Sequence, residues 1–136
     1  MHPVDVANRI IDTGASEKPN RLTNELSVIV DDVAVVESFS HCWALRTEEG
    51  LVCVDASNAR TGPAVVGALR GWTDEPFHTL IYTHGHLDHV GGSGAFVADA
   101  TRNGISRPRV VAHKALPARL ERYRQTAGWN MAINRR

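Results

Sequence analysis

Cysteine is scarce in this chain: Cys42 and Cys53 are the only two among 136 residues. That excludes a disulfide framework, and two separated cysteines do not by themselves make a zinc site. They flank a hairpin turn at "TEEG". If Thr47 pairs with Gly50, Cys53 faces Ala44 and the thiols lie diagonally, as buried free thiols. Long apolar runs are missing as well, which excludes a membrane span. The start, "MHPVDVANRIIDTG", has neither the basic flank nor the apolar centre of a signal peptide. The expectation is a soluble, cytoplasmic protein with no membrane partner. Net charge is also absent, with 15 Lys and Arg against 15 Asp and Glu.

What is present fits one globular domain over residues 1–136, long enough to bury a core. Hydrophobic residues make up 43% and charged residues 22%, too balanced for disorder. Residues 1–24 are polar and turn-rich ("DTGASEKPNRLTN") and are expected to form an irregular lead-in.

The charge is unevenly placed. Residues 1–101 hold 14 acids against 6 bases, a balance of −8; residues 102–136 hold 9 bases against Glu121 alone, a balance of +8. The two parts either attract each other or present solvated faces. The functional alternative is a basic end that lines a site for a small anionic substrate.

Val and Ile dominate "LSVIVDDVAVVESF", which predicts two short strands around Asp31 and Asp32. "HCWALRTEEGLVCVDAS" reads as a hairpin whose second strand is buried on both faces and ends at Asp55. "TGPAVVGALRGW" predicts a helix with Pro63 in its first turn and Val65, Val66, Leu69 and Trp72 on one face. "FHTLIYTH" returns to a strand, a short helix follows near "AFVADA", and "PRVVAH" is a further strand. A last helix aligns Leu116, Leu120 and Tyr123. Alternating strands and helices predict an α/β domain with a mixed sheet and flanking helices.

The chemistry concentrates in "IYTHGHLDHVGGSG". A strand ending in His-x-His places His84 and His86 on one side of the chain, able to grip one ion. Asp88 and His89 follow after the chain begins to turn and can aim at a neighbouring position. Two nitrogens for one metal, and an oxygen and a nitrogen for another, suggest a two-metal site that activates water between its ions. Gly91, Gly92 and Gly94 are read as keeping space open for a substrate. The other histidines (His2, His41 and His78) take structural readings, and His113 a packing or supporting one.

"THGHLDHVGG" closely resembles the signature of the metallo-beta-lactamase superfamily of metallohydrolases. The hairpins, the strand ending "LVCVDAS", the helix and the histidine strand come in a similar order. The resemblance implies that His84 and His86 bind a first zinc and that Asp88 and His89 bind a second. It makes Asp55 a support beneath the loop and Asp88 the residue that orients the nucleophile. The implied fold is an αββα sandwich, of which this chain carries the N-terminal half. The run "VVAHKALPARLERYRQTAGWNMAINRR" is similar in layout to the alkyl sulfatase-like branch, which ends in an "AGN-A-RR"-type segment. Hydrolysis by a metal-bound hydroxide is then implied, with a sulfate ester or thioester as the favoured substrate.

The family completes its sites with downstream ligands that have no match here. After His89 the chain offers His113, Asp99 and Glu121, none in a recognisable pattern. The reading is therefore a hydrolase that is inactive or impaired as this incomplete chain, with fewer than two zincs. Two alternatives stand beside it. One is a nuclease of the same superfamily, weakened by the neutral charge and by the lack of aromatics interleaved with the basic stretch. The other is a non-catalytic fragment that forms a homodimer or binds a complementary C-terminal fragment.

Overall fold

β-branched side chains crowd residues 26–36, and their pleated packing makes the first hairpin of the computed structural model. The structure describes residues 1–16 and 21–133, without the side chain of Asn130. Asn134, Arg135 and Arg136 of the "AGN-A-RR"-type segment lie outside the described residues, as do Glu17 to Asn20 of the lead-in.

Strands β1 (Leu26–Val30), β2 (Val33–Val36), β3 (Cys42–Thr47) and β4 (Gly50–Val54) form an antiparallel meander. Helix α2 (Gly62–Arg70) crosses over to β5 (Phe77–Ile81), which pairs parallel to β4. Helices α3 (Leu87–Val90) and α4 (Ser93–Arg102) lead on to β6 (Arg109–Val111), parallel to β5. The sheet runs β1-β2-β3-β4-β5-β6 and is mixed, as the alternation of elements predicts. Helix α5 (Leu116–Ile133) closes the described chain. Its half-buried positions include Leu116, Leu120 and Tyr123.

One correction concerns the lead-in, which is not irregular throughout. Residues Pro3–Thr13 form helix α1. His2 caps it by accepting from the Val4 N–H, Pro3 opens the first turn, and Asp5 faces the N-terminal end of the dipole. Val6 is buried, so one apolar anchor suffices where the composition read as polar. Near "AFVADA" the helix is also longer than a short turn, spanning ten residues.

Helices α2 and α4 pack together on one face of the sheet. Val65, Val66, Leu69 and Phe96 meet Cys53, Phe77 and Leu80 there, forming the core. Trp43, Val54, Ile81 and Val111 are cross-strand neighbours on the opposite face, where Trp43 and Val111 are exposed. Cys53 stands opposite Ala44, so the hairpin register is the one expected from the turn. Both thiols are free and buried. A hydrogen bond to Cys53, then burial, pushes the Cys42 thiol well above its usual range.

A buried ion pair locks the helical layer. Arg70 donates through Nε and Nη2 to Asp99, and Nη1 donates to the carbonyl of Glu75 at 2.6 Å. Its guanidinium also lies 4.2 Å from the Phe77 ring centre. Breaking such a pair leaves a carboxylate buried and unmatched, so Arg70→Ala should cost about 3–5 kcal/mol. Urea unfolding measures this; an unchanged midpoint would show that α2 and α4 are held by apolar packing alone.

Candidate metal centre

Three parallel strands end at one edge of the sheet, and the polar side chains gather just past their carboxyl ends. Asp55 follows β4, Thr83 and His84 follow β5, and His113 follows β6. Asp55 has φ of 61°, in the left-handed region that Asp tolerates better than most residues. This turns the chain sharply and points its carboxylate under the histidine loop.

That carboxylate is fully engaged. Oδ1 accepts from the Thr83 N–H at 2.9 Å, and Oδ2 accepts from the Thr83 hydroxyl at 2.7 Å. Oδ2 also accepts from His89 Nδ1 at 2.7 Å. Asp55 is therefore the support beneath the loop that the resemblance implies.

The hydrogen bonds fix the imidazole tautomers. Thr83 gives its one hydroxyl proton to Asp55, so its oxygen must accept from His84 Nδ1, 2.9 Å away. His84 Nε2 then carries the lone pair, and His86 Nδ1 lies 2.9 Å from it. His89 likewise donates through Nδ1 and keeps a lone pair on Nε2. The His84 ring centre lies 4.5 Å from that of His86 and 4.0 Å from that of His89. Desolvation first, then the charges His89 and His86 would carry, hold His84 below the usual imidazole value. Neutral imidazole is the form that binds metal.

Zinc binds nitrogen at about 2.0–2.1 Å in tetrahedral geometry, which separates two nitrogen ligands by roughly 3.3 Å. The 2.9 Å between His84 Nε2 and His86 Nδ1 is close to that bite, so the paired imidazoles fit one edge of a zinc site. Asp88 stands beside them, with Oδ2 3.6 Å from His89 Nε2. Among the described residues, no group of three His, Cys, Asp or Glu side chains is arranged to hold one ion. The downstream carboxylates are committed elsewhere: Asp99 pairs with Arg70, and Glu121 with Arg124. His113 accepts from the Ala115 N–H through Nδ1.

Gly91 and Gly92 serve a different purpose from the one expected, while Gly94 faces open space. A Cβ on Gly92 would stand 1.9 Å from the Ala56 carbonyl oxygen, and Gly92 N–H bonds the Ser57 carbonyl at 2.9 Å. Gly92 admits the chain after Asp55 against the loop; it does not open space for a substrate. Thr83 is the residue that the sequence reading passed over. Its signal is a hydroxyl immediately before the paired histidines, where a strand ends.

Known proteins resemble this chain to different extents. The sequence pattern of the metallo-beta-lactamase superfamily matches residues 35–130. A linear primary-alkylsulfatase of Pseudomonas sp. (strain ATCC 19151) is 34% identical over 56 residues, covering 40% of this chain and 11% of that protein. A double mutant of the sec-alkyl sulfatase PisA1 superposes with a TM-score of 0.55 at 21% identity, over 69% of this chain and 15% of that one. A Cronobacter sakazakii metallo-beta-lactamase with a HARLDQ motif gives a TM-score of 0.58 at 20% identity, over 71% of this chain and 34% of that one. These structures share the fold, and the chain spans about a third or less of each relative's length.

If Asp55 holds the loop, Asp55→Ala leaves three donors without their acceptor. The expected cost is roughly 2–4 kcal/mol, since each orphaned buried group costs about 1–3 kcal/mol and neighbours relax in part. His89 should also lose its fixed ring orientation, read from its imidazole proton signals. An intact melt with an unmoved His89 signal would show that the loop holds itself.

Proposed function

The chain belongs to the metallo-beta-lactamase superfamily, and from that premise we propose that it serves the zinc-dependent hydrolysis of an ester-like bond, a sulfate ester ahead of a thioester. The observation that carries this is the cluster of three imidazoles over Asp55, in a chain with an alkylsulfatase among its relatives. His84 and His86 would hold one zinc, and Asp88 with His89 a second. Zinc so held supplies a nucleophile from water near neutral pH and polarises the reacting oxygen.

The remaining work falls to the chain's own groups. Asp55 fixes the His89 ring through Nδ1 and, through the Thr83 hydroxyl, fixes the His84 ring too. Both rings then offer Nε2. Supporting groups of this kind set ligand basicity and orientation. Asp88, beside His89 and half-buried, orients the attacking water and takes its proton at Oδ2. Ser40 steadies Asp88 by donating to its backbone carbonyl at 2.5 Å.

Because the described residues bring only two nitrogens to one point, this chain should hold zinc weakly, at fewer than two ions, and turn over slowly by itself. Competition with a chromophoric chelator tests the ligand set. His86→Ala should weaken zinc by at least roughly tenfold, the scale on which even supporting residues act. His78→Ala should leave it unchanged, since His78 lies within β5, hydrogen-bonded to Thr79. Equal losses would mean that the ligands are misassigned. At saturating zinc, assays with alkyl sulfate, thioester, lactam and phosphodiester decide the substrate. Sulfate release ahead of the others is expected, and faster cleavage of any other bond overturns the sulfate assignment.

A further inference from the structure

Beside His84 an open cleft of about 430 Å³ lies between the end of β5 and helix α5. His113, Leu116, Arg119 and Arg122 line it together with His84, and none of its described lining side chains is acidic. The geometry points to a subsite for a tetrahedral oxyanion carried on an apolar chain, with Arg119, Arg122 and His113 receiving the anion and Leu116 the apolar part. This rests on the ester-hydrolase reading for the identity of the bond that reacts.

Four observations converge on it. First, Arg119 and Arg122 stand three apart on one helix, where like charges repel unless an anion lies between them. Second, the carboxylate that could have neutralised them is taken. Glu121 accepts from Arg124 Nε and Nη2, each at 3.0 Å, and from Gln125 at 2.9 Å. Third, His113 Nδ1 accepts from the Ala115 N–H, so its proton sits on Nε2 as a further donor. Fourth, helix α5 is brought close by a glycine. A Cβ on Gly85 would lie 2.9 Å from Leu116 Cδ1 and 2.9 Å from Arg119 Cδ. The residue between the two histidines is thus a close contact that sets arginine beside imidazole.

Arg119 is held ready. Its Nη2 donates to the Tyr123 hydroxyl at 2.9 Å, and its guanidinium lies 5.2 Å from that ring's centre. Among the described residues its remaining N–H groups meet no acceptor, and they can form the paired bonds that guanidinium makes with oxyanions. Sulfate and phosphate monoesters present the same three terminal oxygens, so the head group is shared chemistry. Leu116 and the body of Tyr82, in the same lining, offer the carbon chain an apolar wall.

The experiment titrates metal-stripped protein with inorganic sulfate, inorganic phosphate, a short linear alkyl sulfate and the matching alkyl phosphate. Saturable binding is expected, tighter for the alkyl esters than for the free ions. The sulfate and phosphate arms identify the head group. The pair Arg119→Gln and Arg122→Gln should weaken binding at least tenfold. Arg122→Gln alone leaves the Arg119–Tyr123 contact in place and should give an intermediate loss with unchanged helix content. Zinc affinity should not weaken in any variant, so a failed zinc assignment and a failed anion subsite give different results. The proposal is overturned if wild-type protein binds neither ion nor ester saturably, or if the double variant binds them as well as wild type. Tighter binding of a single-stranded oligonucleotide than of the alkyl esters also overturns it.

Discussion

One carboxylate holds the candidate site in place. Asp55 accepts from the Thr83 backbone, the Thr83 hydroxyl and His89, so the end of β4, the end of β5 and α3 meet on one side chain. The backbone repeats the connection, with Ala56 N–H bonding the His89 carbonyl at 2.7 Å. These bonds form only if Asp55 turns into the left-handed region, which a β-branched residue would resist. Strain at that position is offset by hydrogen bonds that also set which nitrogen of each imidazole is free. Stability and ligand chemistry therefore depend on the same atoms.

Sheet topology explains why such a carboxylate is available. The parallel strands β4, β5 and β6 all end at one edge, so each following turn delivers its side chains there. β3 runs antiparallel to β4, which brings the turn before it to the same edge. Ser40 enters the loop from that turn. Behind it, the Ser38, Ser57 and Thr61 hydroxyls join in a buried chain of hydrogen bonds. A Cβ on Gly62 would lie 2.7 Å from Gly92 Cα, so the chain around this network has no room to spread. The loop is rigid because it is crowded by backbone on several sides.

Much of this is legible in the residues. Alternation of Val and Ile marks β1 and β2, the "TEEG" turn sets the β3–β4 register, and the His-x-His spacing marks the loop. These are local signals, in which neighbours in sequence decide the outcome. Helix α1 escaped although Pro3, Val6 and Ile10 fall at helical spacing on its buried side, because the polar, turn-rich residues that follow dominate the composition of the lead-in. The Arg70–Asp99 pair joins residues far apart in sequence, and nothing near either names its partner. Asp99, one of the two carboxylates after His89, is buried against Arg70. The role of Thr83 depends on where Asp55 points, which only the left-handed turn decides.

The uneven charge also takes on a physical meaning in the folded chain. Arg21, Arg46 and Arg70 pair with Glu37, Glu75 and Asp99, all within the acidic part of the sequence. In the basic part, Glu121 pairs with Arg124. Three cations of the first part are thus neutralised within it, and the second part has one acid to share among many bases. Simple attraction between the two parts would have set α5 arginines against surface carboxylates. Instead Arg119 and Arg122 border the cleft that opens on His84. In a cleft with low-dielectric walls, charge of one sign raises the local concentration of the opposite ion. It would also oppose a second cation near the histidines until an anion arrives. On this arrangement an anionic ester and a metal ion support each other's binding, because each lowers the electrostatic cost of placing the other.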